Sequence, residues 1–130
     1  MKQQTFNELF RKRTKKMALS IIHAIQPLPK SNETNIISRQ VIRSATSVAA
    51  NFRAVCRARS EAERFAKLCI VVEEADETLF WLELIQDLYP DKKYVSEEIL
   101  KESESILKTM AAFRRKLKQI KSSKSQRNIN

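Results

Sequence analysis

Between Ala45 and Ser60 the chain reads ATSVAANFRAVCRARS, which places three guanidinium groups, Arg53, Arg57 and Arg59, within seven positions. Arginine presents five N–H donors in a planar fork that matches phosphate oxygens, so this spacing could grip a nucleic-acid backbone. Arg64 follows close behind, and two further basic runs carry the same chemistry: Arg11, Lys12, Arg13, Lys15 and Lys16 near the start, and Arg114, Arg115, Lys116 and Lys118 near the end. A second reading stays open for the arginines of the quoted stretch. A cation at a helix C-terminus complements the dipole and covers apolar surface with its stem, and it then needs no ligand.

Other chemistries find little material. His23 is the single histidine, so a triad or an imidazole metal site has no second member. A di-iron bundle would need Glu-x-x-His on two helices, and no such tetrad occurs. Glycine is absent altogether, which removes phosphate-cradling loops of the P-loop and dinucleotide kinds. Cys56 and Cys69 are the two cysteines and form no Cys-x-x-Cys pair, which suits reduced thiols inside a cell. The expectation is a protein with no catalytic set, no cofactor and no metal, hence not an enzyme.

The elements that must position these cations follow from composition and period. With no glycine, three prolines and 42% apolar residues in 130, the chain has no means of making tight hairpins, and an all-α fold in one domain is expected. Thr5 and Glu8 have the spacing of a capping box, after which Phe6, Phe10, Met17, Ile21 and Ile25 recur at helical intervals until Pro27 and Pro29. Ser31 or Asn32 can cap a second run, Ile37, Val41, Ala45, Val48, Phe52 and Val55, about 26 residues or roughly 39 Å long. Ser60 with Glu63 repeats the box and opens a third run through Phe65, Leu68, Val72, Ala75, Leu79 and Leu82 to Tyr89-Pro90. Ser96 opens the fourth, with Ile99, Ser103, Ile106, Met110, Phe113, Leu117 and Ile120 alternating by four and three. Short connections make neighbours antiparallel, so residues 1–120 are expected to close as an up-down-up-down four-helix bundle, with 121–130 a disordered basic tail. The charged start lacks the apolar core of a signal peptide, and no run reaches the roughly 18 apolar residues of a membrane span, so a cytoplasmic protein is expected.

Charge is sorted by helix. The net formal charge is +10, yet residues 60–90 hold eight acidic side chains against two basic ones, while the three other segments are all basic. If helices two and three turn near Arg59, positions summing to about 119 lie level, so the EEADE run at 73–77 should answer Arg43 and, further along, Arg39. Arg53 and Arg57 would fall beside Ala66 and Ala62 and stay uncompensated. Helices one and four, being antiparallel, bring their basic runs to that same end, giving one basic pole. The register also sets Cys56 about six residues, or about 9 Å, from Cys69 along the axis, too far for a disulfide. In LFWLELIQDL, Phe80, Trp81, Leu84 and Leu88 exceed what one core face can absorb and read as an oligomer interface. Base stacking on those aromatics is the rival reading, opposed by Glu77, Glu83 and Asp87.

The stretches RSATSVAAN and EEADETLFWLEL, within Leu28 to Ile85, resemble the four-helix-bundle proteins encoded in intervening sequences of bacterial 23S ribosomal RNA genes. The similarity spans roughly residues 5 to 120 and is greater to the accessory variability determinants of diversity-generating retroelements. That resemblance implies a helical protomer assembled as a ring of five with a basic surface, and a partner role beside a reverse transcriptase and its RNA template. The matching positions are Arg43, Ser44, Asn51, Arg53, Arg57, Glu73, Glu74, Asp76, Trp81 and Glu83, none of them catalytic. Ala49 and Val55 stand where many members have glycine. The expectation for function is a homo-oligomeric, non-enzymatic scaffold that binds RNA or DNA. The alternative is a protein-interaction module whose basic faces dock an acidic partner.

Overall fold

A computed structural model of the chain, describing residues 2–129, contains four helices: α1 (Gln3–Ile25), α2 (Asn32–Cys56), α3 (Glu61–Leu88) and α4 (Glu97–Ile129). Each helix packs on its neighbour in chain order and α4 closes back on α1, while the diagonal pairs make no close backbone approach, as in an antiparallel four-helix bundle. Met1 of the expected bundle and Asn130 of the expected tail lie outside the described residues. Residues 121–127 continue α4 with every side chain exposed.

Capping follows the sequence at α2 and α4 and departs from it at α1 and α3. Ser31 caps α2: its Oγ accepts from the Thr34 N–H at 3.2 Å, and Thr34 Oγ1 accepts from the Ser31 N–H at 3.0 Å, so threonine fills the place usually taken by Glu. Ser96 Oγ accepts from the Ile99 N–H at 3.2 Å and opens α4. At α1 the expected Thr5/Glu8 box does not form, because the helix begins earlier, with Lys2 as an N-cap that makes no side-chain bond. Phe6 explains the extension: its ring lies 4.7 Å from Phe10 and 5.3 Å from Phe113, so packing holds the first turn without a cap. At α3 the box forms by half. Ser60 Oγ accepts from the Glu63 N–H at 3.1 Å, but the Glu63 carboxylate reaches the Arg59 N–H at 3.4 Å instead of returning to Ser60.

The expected stripe of α2, Ile37 through Val55, is buried in full. Along α3 the buried positions are Leu68, Val71, Val72, Ala75, Thr78, Leu82 and Ile85, so Leu79 stands half-exposed where a core residue was expected. Thr78 meets the core through oxygen: its hydroxyl lies 2.8 Å from the Glu74 carbonyl and 3.0 Å from Ser44 Oγ on α2, which keeps both buried hydroxyls partnered. Ile120, the last member of the α4 stripe, is exposed beside the first turn of α3.

One end of the core is aromatic. Phe52 is fully buried, with Phe6 and Phe10 each 6.3 Å away across the α1–α2 seam. Phe52→Ala is expected to cost about 3–5 kcal/mol, read as a lowered urea midpoint, because truncation removes packing shared by α1 and α2.

Candidate nucleic-acid interface

The phenylalanine cluster joins the start of α1, the end of α2 and the later part of α4, and Arg64 at the start of α3 lies over the Phe113 ring at 5.4 Å. Three basic runs therefore meet at this pole. Residues 2–16 carry six Lys or Arg against Glu8; residues 53–67 carry five against Glu61 and Glu63; residues 113–127 carry seven and no acid. Together they hold 18 of the 25 basic side chains and 3 of the 15 acidic ones.

Not every cation there is available. Arg13 turns inward across the α1–α4 seam, where its Nε donates to Glu102 Oε2 at 3.1 Å, its Nη2 to Oε1 of the same carboxylate at 2.5 Å, and Nη2 also to Ser105 Oγ at 3.1 Å. This side chain ties α4 to α1, the pair of neighbours that touch least, and it leaves the phosphate-binding set expected from the sequence. Arg64 is half-buried on Phe113, with Glu61 3.9 Å from its Nη1. Arg59, by contrast, is 91% exposed and only loosely approached by Glu63 at 3.9 Å. Among the described residues no carboxylate lies within 4.0 Å of Arg11, Lys12, Lys15, Lys16, Arg53, Arg57, Arg114, Arg115, Lys116 or Lys118. All of these are exposed except Arg114, which is half-buried.

Four of the free cations face one another across an open groove of about 520 Å³ between α1 and α2: Arg11 and Lys15 on one rail, Arg53 and Arg57 on the other. Ala18, Ala49 and Ala50 line its floor with Leu19 and Ile22 beside them. The sequence places the two rails at one pole, and only the fold pairs them. A signal for the pairing exists, because the turn at 26–31 folds α2 back on α1 in antiparallel register.

Toward the other end the acidic helix answers its neighbour as expected. Arg43 Nη2 donates to Glu77 Oε1 at 2.6 Å and its Nη1 lies 3.2 Å from Glu74 Oε2, while Trp81 Nε1 also donates to Glu77 at 3.2 Å. The Arg43 guanidinium holds the Glu77 carboxyl below the usual carboxylate range, and Glu77 in turn raises Arg43. Arg39 is exposed and makes no such pair among the described residues. Of the four proposed interface residues, Trp81 and Leu84 are partly covered by packing against the chain's own core, which leaves Phe80, 54% exposed, and Leu88, 47% exposed, standing out. Cys56 and Cys69 are half-buried free thiols, and burial pushes the Cys56 thiol up. Among the described residues no three His, Cys, Asp or Glu side chains stand close enough to hold a metal, and no helix is long and apolar enough to cross a membrane.

The family described as 23S rRNA-intervening sequence protein matches residues 9–113. Among solved structures, the chain is similar to a protein of unknown function from the S23 ribosomal protein family of Bacteroides thetaiotaomicron VPI-5482, determined at 1.70 Å. The two are 30% identical with a TM-score of 0.69, over 84% of this chain and 97% of that one. No curated protein matches the chain.

The Arg43 cluster sets a pH dependence. A carboxylate with a depressed folded pKa contributes stability that is fully present above its unfolded value and is lost as pH falls through the folded one. Stability to urea is therefore expected to decline as pH drops below the usual Glu value of 4.5, and Arg43→Gln should flatten that decline. Glu102→Gln should lower stability at neutral pH by about 1 kcal/mol, as for a well-formed but partly solvated ion pair.

Proposed function

The chain belongs to the 23S rRNA-intervening sequence protein family, and from that premise we propose that it is a non-enzymatic, self-associating helical scaffold that binds nucleic acid through its basic pole. The observation that carries this reading is the convergence of three basic runs, 18 cations against 3 acids, on one end of the bundle with most of the charges free. An exposed, unneutralised cluster of this size binds phosphates by releasing their condensed counterions, a sequence-independent attraction that weakens with salt. Rigid helices hold the cations at fixed spacing, so little side-chain ordering beyond rotamer choice is needed on binding. The resemblance of RSATSVAAN and EEADETLFWLEL to accessory variability determinants supports reverse-transcriptase template RNA as the nucleic acid and a cytoplasmic setting. Self-association is supported by Phe80 and Leu88, large apolar side chains exposed on one helix.

A second reading draws on Leu19 and Ile22 among the groove cations, since phosphate has no use for them: the basic surface docks an acidic protein. A partner captured on the immobilised chain that survives nuclease treatment favours this reading, and one removed by that treatment favours nucleic acid.

Binding of mixed-sequence RNA is expected to weaken as log Kd rises linearly with log salt. The triple change Arg59→Glu, Arg115→Glu and Lys118→Glu, outside the groove, should reduce that slope by about 2, since each phosphate left without its cation lowers it by about 0.7. Filter binding or fluorescence anisotropy between about 50 and 200 mM salt reads both quantities. Affinity independent of salt, or unchanged in the triple variant, would falsify the proposal.

A further inference from the structure

The outward face of α3 is a stripe of five exposed residues, Glu73, Asp76, Phe80, Glu83 and Asp87, at successive spacings of three and four. It is acidic throughout except for Phe80 at its centre. Among the described residues none of its four carboxylates has a cation within 4.0 Å, since Arg43 pairs with Glu74 and Glu77 on the inner flank. The α1–α2 groove is the inverse of this stripe. It has four unpaired cations, a floor of alanines that lets another helix approach closely, and Leu19 and Ile22 where an aromatic ring could rest.

The spacing matches as well as the charge. On α3, Glu83 and Asp87 follow Phe80 by three and seven residues; on α2, Arg53 and Arg57 follow Ala50 by three and seven. At 1.5 Å per residue both pairs of charges lie about 4.5 and about 10.5 Å beyond the apolar position. The stripe is symmetric about Phe80 to within one residue, with Asp76 and Glu73 at four and seven residues on its other side. A helix entering the groove in either direction, with Phe80 over Ala50, thus brings one acidic pair level with Arg53 and Arg57.

We infer that the α3 ridge of one copy docks in the α1–α2 groove of another, with Phe80 seated among Leu19, Ile22 and Ala50. The inference rests on the self-association proposed above and names the surface that meets α3. Ridge and groove are different faces, so the contact is heterologous, and each added copy still offers one free ridge and one free groove until the assembly closes on itself or extends. Docking sets two carboxylates among four cations that otherwise repel across the groove. Arg59, Arg115, Lys116 and Lys118 lie outside the groove and remain open to nucleic acid in the assembly.

Two charge-reversed full-length variants, freed of nucleic acid by nuclease, test this by light scattering at low salt. Arg53→Glu with Arg57→Glu spoils the groove and keeps the ridge, whereas Asp76→Lys with Glu83→Lys spoils the ridge and keeps the groove. All four positions are exposed, and circular dichroism checks that helicity is retained. The wild type should assemble, each variant alone should show the mass of one chain, and an equal mixture should assemble again, because the acidic ridge of one variant fits the basic groove of the other and the two reversed faces match in turn. A monomeric wild type overturns both this inference and the self-association reading. An assembled wild type with an equally assembled groove variant, or variants that remain monomeric when mixed, overturns this inference alone.

Discussion

Burial of phenylalanine at one end of the bundle holds together groups that repel each other. Phe6, Phe10, Phe52 and Phe113 bring the start of α1, the end of α2 and the later part of α4 into contact, and those are the segments that carry the free cations. The magnitudes explain why packing prevails. Two exposed unit charges about 10 Å apart in water repel by about 0.4 kcal/mol, while burying one phenylalanine contributes about 1.5–3 kcal/mol. Solvated like charges can therefore be gathered at a pole without unfolding it, provided they stay outside the apolar cluster.

The bundle settles its charges by position relative to the seams. Two cations at seams are met by a carboxylate from the next helix, Arg13 by Glu102 between α1 and α4 and Arg43 by Glu74 and Glu77 between α2 and α3, whereas the four that face one another across the α1–α2 groove are not, among the described residues. These pairs add direction to contacts that apolar packing leaves loosely specified, most evidently at the α1–α4 seam. Where a cation lies on an outer face it has no such partner. The result is a molecule with a basic end and an acidic outer stripe on α3.

Much of this is legible in the chain. The core of α2, the caps at Ser31 and Ser96, and the pairing of Arg43 with the acidic run follow from period, side-chain chemistry and antiparallel register, all of which are local or nearly so. The departures share a cause. Thr5 does not cap because Phe6 finds aromatic partners on α2 and α4, and Arg13 is withdrawn because Glu102, 89 residues away, stands opposite. Trp81 is surplus to one core face by period alone, but Glu77 accepts its indole N–H while the ring's body packs on the core. In the first two cases the deciding neighbour is distant in sequence, and in the third it is the body of the core itself.

By itself the amino-acid sequence determined that this protein is helical, that its helices alternate in direction, and that positive charge outweighs negative on three of the four. Those properties follow from the lack of glycine, the spacing of apolar residues and simple counting, and no tertiary contact is needed to obtain them. Only the folded arrangement decided that Arg13 is neutralised while the rest of its run stays free, and that Arg11 and Lys15 confront Arg53 and Arg57 across a groove. The reason is that an electrostatic interaction depends on distance and on what lies between the charges, and for residues on different helices both are set by packing.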